Sequence, residues 1–131
     1  MKLENQVCSL ELAKKLKELG VKQESFFCWA HPWEPYTYTA DKSRFILTEP
    51  SKLNIREGIS AFNVAELGEM LPDQYHSWHT VGDGFTGWCC VRFSEPEFEI
   101  DEHWEYGEDL TEADCRAKML IHLIEKGIIK P

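Results

Sequence analysis

The chain has 131 residues, 43% hydrophobic and 12% aromatic, and a net charge of −9. That length makes a single domain, expected over residues 1–131, and that apolar content supplies its own core and excludes a disordered chain. The acidic balance argues against direct nucleic-acid or anionic-membrane contact, since both are polyanions.

No run approaches ~18 uncharged apolar residues, so no membrane span is expected. The opening MKLENQVCSLELAKKLKELG lacks the apolar core of a secretory signal. Five cysteines, Cys8, Cys28, Cys89, Cys90 and Cys115, are an odd number in no disulfide or zinc-ribbon spacing. They fit a reducing compartment, and a cytoplasmic location is expected.

The first helix follows Ser9, a helix-capping residue, with Leu12, Ala13, Leu16 and Leu19 at helical spacing. Gly20 stands where a left-handed cap ends it. Residues 25–29 read as a buried aromatic strand closed by His31-Pro32. Residues 33–39 are a possible continuation, with Pro32 and Pro35 confining its start to an edge or turn. Residues 44–48 are a third strand candidate, and the polar stretch 49–57 reads as a loop.

A short helix then begins at Asn63, with Glu66 completing a capping box, Phe62 positioned to staple onto Leu67, and Pro72 stopping it. Residues 73–80 read as a polar loop and Gly82-Asp83-Gly84 as a turn, with Gly87 a second flexible point. Residues 88–93 form a strand. Residues 97–101 alternate acid and apolar, predicting a half-buried strand with Phe98 and Ile100 facing in, able to pair with 88–93 as a hairpin. The last helix is capped by Thr111, with Asp114 in the capping-box position. It carries the stripe Ala113, Ala117, Leu120, Ile121 and Ile124 and ends at Gly127.

These elements predict an α+β fold: an antiparallel sheet of three to five strands, the N-terminal and C-terminal helices packed on one face, and a short third helix.

The charge is concentrated. Of 23 acids, ten lie in residues 95–114, where no Lys or Arg occurs, leaving 13 acids against the 14 Lys and Arg elsewhere. On one strand face alternate residues are ~6.6 Å apart, so Glu97, Glu99 and Asp101, extended by Glu102 and Glu105, would form a carboxylate row. Successive phosphates of a nucleic-acid strand are comparably spaced, so the row suits a basic protein groove. The plainer alternative is a solvated face that keeps an edge strand from pairing with other chains.

Other chemistry finds little footing. No EF-hand loop is present, and acids along a strand do not converge on one calcium ion. His76 and His79 with Cys89 and Cys90 form no recognised zinc pattern, and adjacent strand residues point apart, so no metal ligand is assigned. No cysteine has a histidine marked out to activate it, and the 82–87 glycines lack the Lys-Ser/Thr of a phosphate loop. No catalytic residue and no cofactor is assigned, and the chain is read as leaning away from an enzyme. Trp33, Tyr36, Trp78 and His79, with Arg92 as the cation, are the alternative site for a small ligand such as a nucleotide.

Three segments, NQVCSLELAKKLKELGVKQESFF, SAFNVAELGEMLP and TEADCRAKMLIHLIEKGII, resemble a group of small uncharacterised proteins encoded in phage and prophage regions of gut bacteria. The resemblance covers roughly half the chain, including its three predicted helices. It implies an origin within a bacterial host and no particular chemistry. The expected function is a phage-type accessory protein, a non-catalytic binding module whose acidic strand meets a basic host or phage protein, with DNA mimicry as its sharp form. The alternative is a protein that binds or sequesters a small ligand or nucleotide through the aromatic loops.

Overall fold

Ser9 ends an extended segment and starts the first helix, α1 (Leu10–Glu18), with its Oγ accepting from the Leu12 N–H at 3.4 Å. The structure is a computed structural model that describes residues 2–32, 45–49, 55–82, 85–94, 99–100, 105–107 and 111–131. Ala13 and Leu16 are the buried face of α1. Gly20 closes the helix with φ of 93°, and the Gly20 N–H donates to Lys17 O (3.0 Å) and the Val21 N–H to Leu16 O (3.1 Å). This double bond pattern needs a left-handed residue, which glycine adopts without the Cβ penalty.

The first sheet has the order β2-β1-β3, all antiparallel, from β1 (Cys28–Pro32), β2 (Ile46–Thr48) and β3 (Ile55–Ser60). Strand β1 starts three residues later than the aromatic run suggested. The Phe26 N–H is taken by Glu66 Oε1 at 2.9 Å, the Ser25 hydroxyl donates to the Phe27 carbonyl, and the Phe26 side chain is 72% exposed. Side-chain bonds hold residues 25 and 26 there, while the Phe27 carbonyl still accepts from the Ala61 N–H at 3.0 Å. Pro32 is the last residue of β1, beyond a register shift after Ala30, as its missing N–H requires.

The loop expected at 49–57 is corrected at its end, because β3 begins at Ile55. Its one strong inward anchor in the described part is Ile59, buried opposite Trp29. Pairing with β1, rather than β propensity, makes the strand. Residues 33–44, including the possible continuation strand, lie outside the described residues.

The short helix α2 (Val64–Met70) carries the anticipated capping box: Asn63 Oδ1 accepts from the Glu66 N–H (2.9 Å) and Glu66 Oε2 from the Asn63 N–H (2.8 Å). Leu71 takes extended backbone before Pro72, which ends the helix. Phe62 and Leu67 are both fully buried in the same core.

The second sheet is built on the long strand β5 (Phe85–Ser94). On one side lies β4 (Tyr75–Gly82), and on the other lie β6 (Glu99–Ile100) and β7 (Glu105–Gly107), all antiparallel to it. The polar loop expected over 73–80 is thus a strand. Tyr75 and Ser77 are half-buried while His76 and His79 are exposed. The alternation holds over residues 75–77 but not at His79, which is exposed although it shares a face with Tyr75 and Ser77, and its inward positions include a serine whose partners lie far along the chain. Gly87 is a buried strand residue opposite Thr80, not a flexible point.

Helix α3 (Glu112–Glu125) is capped by Thr111 Oγ1, which accepts from the Asp114 N–H at 3.1 Å. It ends at Gly127 (φ 72°) with the same double bond pattern as α1. Its buried residues are Ala113, Cys115, Ala117, Met119, Leu120 and Leu123. They meet Leu16, Phe62, Leu67 and Cys90 in one core.

The fold class is α+β, as expected, but the described strands form two sheets rather than one meander. The helices divide between them. Helix α1 packs on β3 and α3, while α3 packs on β4, β5, β7 and both other helices. Helices α1 and α3 run parallel: Ser9 meets Asp114 at their N-terminal ends, and Lys15 meets Glu125 (3.8 Å) toward their C-terminal ends.

Candidate functional site

The acidic segment supplies the outer edge of the second sheet. Among the described strands, β6 and β7 pair only with β5, at Ser94↔Glu99 and Phe93↔Ile100 and then at Cys90↔Glu105, Cys89↔Tyr106 and Trp88↔Gly107. The expected hairpin between the 88–93 and 97–101 regions is therefore present at Phe93↔Ile100. Directly opposed residues belong to one face of a sheet. Glu99 and Glu105 accordingly share a face, at positions opposite residues four apart on β5, or ~13 Å at strand rise. Glu97, Asp101 and Glu102 lie outside the described residues.

The register reverses one expectation. Cys90 is fully buried, and Ser77, its partner on β4, bonds to α3. The face shared by Cys90, Glu105 and Glu99 is therefore the face on which α3 packs, while Ile100 falls on the opposite one. Alternation in a single strand fixes that residues 99 and 100 face opposite ways. Only the pairing with β5 decides which way is inward.

Among the described residues, Glu112 and Asp114 of the acidic segment serve the fold. Glu112 Oε1 accepts from the Ser77 hydroxyl at 2.5 Å and lies 3.5 Å from Arg116 Nη2, while Arg116 Nε donates to Ser77 Oγ (2.9 Å) and Nη1 to the Val64 carbonyl (3.0 Å). One guanidinium thus ties β4, α2 and α3 together. It fits because residue 68 on α2 is glycine: a Cβ there would stand 2.2 Å from Arg116 Nη1.

Asp114 Oδ1 accepts from the Ser9 N–H at 2.7 Å, across 105 residues of sequence. It occupies the capping-box position of α3 but answers the N-cap of α1 instead. Burial pushes its carboxyl above the usual carboxylate value, opposed by the Ser9 bond, the Lys118 charge and Thr111.

The alternative aromatic site is only partly on view, since Trp33 and Tyr36 lie outside the described residues. His79 is exposed and its ring sits 5.0 Å from that of Trp88, its register partner, at an interplanar angle of 54°. Arg92, opposite Tyr75, is at a position of that same face but four residues along β5 from Trp88, whereas Trp78, opposite Cys89, is at a position of the other face. The sheet brings His79 and Arg92 to one face and leaves Trp78 off it.

Cys8, Cys28, Cys90 and Cys115 are buried cysteines outside any disulfide. Burial pushes Cys8 up to about 12, opposed by the Phe62 backbone bond, and raises Cys28 as well, which suits inert core residues rather than nucleophiles. Among the described residues no group of three or more His, Cys, Asp or Glu is placed to hold a metal ion, and no helix is long and apolar enough to cross a membrane.

Sequence reasoning did not find Ser77, Arg116 or the Ser9–Asp114 bond. The i, i+4 spacing of Glu112 and Arg116 was the one local signal for any of them. No family model, no curated protein and no solved structure matches the chain.

Proposed function

We propose that this chain is a non-catalytic binding module whose acidic outer strand contacts a basic protein of the host or of a phage. The observation that carries the reading is the run of ten acids without Lys or Arg that enters the second sheet at β6 and β7, strands that pair only with β5 among the described strands. Glu112 and Asp114 are engaged inside the fold, and the contact is assigned to Glu97, Glu99, Asp101, Glu102 and Glu105. The sharp form of the proposal is imitation of a nucleic-acid backbone in a basic groove by this acidic run. The resemblance to phage and prophage proteins of gut bacteria supports a partner in the cytoplasm of a bacterial host.

The test is capture from a gut-bacterial lysate, read by mass spectrometry, with the parent chain beside a variant carrying Glu97→Lys, Glu99→Lys and Asp101→Lys. The parent is expected to retain a basic protein that the variant, with unchanged circular dichroism, releases. Retention by both, or by neither, overturns the reading.

The exposed His79 beside Trp88 favours a second reading, a small-ligand site at the His79 end of β4. It requires a thermal shift with a member of a nucleotide panel that Arg92→Ala or Trp33→Ala removes, and no shift across the panel refutes it.

A further inference from the structure

We draw no further inference here: the strongest candidate, the Ser77–Glu112–Arg116 cluster where β4, α2 and α3 meet, carries nothing because all three guanidinium nitrogens already face Ser77, Glu112 and the Val64 carbonyl, so it is accounted for as a tie within the fold.

Discussion

Replacing Asp114 with Ala removes the acceptor that joins the start of α3 to the start of α1. The bond is 2.7 Å long, and its donor is the backbone N–H of Ser9, itself the N-cap of α1. A capping interaction lost from a partly buried site costs ~1–2 kcal/mol. Loss of a negative charge from the first turn of α3 adds ~0.3–1 kcal/mol, and relief of the buried carboxylate offsets part of the total. A net loss of about 1–2 kcal/mol is expected, read as a lower urea midpoint at unchanged slope in equilibrium unfolding followed by circular dichroism.

Asp114→Asn separates the bond from the charge, because the amide keeps an oxygen acceptor. In the folded protein burial raises the Asp114 carboxyl above its ordinary value, so the folded state holds that proton more tightly than the unfolded chain does. The ionised form therefore costs stability. That cost is fully present above the raised folded value and vanishes as the pH falls below the ordinary ~3.9 of the unfolded chain. Asp114→Asn should be at least as stable as the parent at pH 7, with its advantage fading as the pH falls into the carboxylate range. An Asp114→Ala midpoint equal to the parent's would show that the link between the helices contributes nothing. An Asn variant weaker than the parent by ~1 kcal/mol at pH 7 would refute the electrostatic half of the argument.

Gly68→Ala should destabilise the protein by ~1–3 kcal/mol despite alanine's better helix propensity, because the new methyl meets a guanidinium fixed by three partners. In an Arg116→Ala background the same substitution should stabilise by ~0.5–1 kcal/mol, and a double-mutant cycle of unfolding energies with no coupling would contradict the packing. Cys8 should resist iodoacetamide at pH 8 in the native protein and react on addition of denaturant, as followed by peptide mass mapping, since burial holds its thiol at about 12. Native alkylation at a rate near that of the denatured chain would contradict its burial.

The three helices were legible because their signals are local. Ser9, Asn63 and Thr111 cap, Gly20 and Gly127 end, and the apolar stripes have helical period. The strands β3 and β4 were not, because what makes them strands lies elsewhere in the chain. Ile59 needs Trp29 opposite it, and Ser77 needs Glu112 and Arg116 to satisfy a polar inward position. The acidic edge was legible as a run of charge and as one half of a hairpin. Its facing was not, since a strand's alternation has no sign until a neighbour supplies one. Asp114 shows the same limit: its spacing from Thr111 suggests a local cap, yet its carboxylate closes a contact across the fold that no window of sequence contains.

The acidic edge is tested most directly by competition on a captured partner. The chain is displaced with duplex DNA of unrelated sequence, and its affinity is followed as salt is raised. A working acidic edge should be displaced by the duplex, with log affinity falling linearly in log salt, as charge-neutralising contacts require. A partner held equally at low and high salt, and indifferent to DNA, would contradict the claim that this edge is the binding surface.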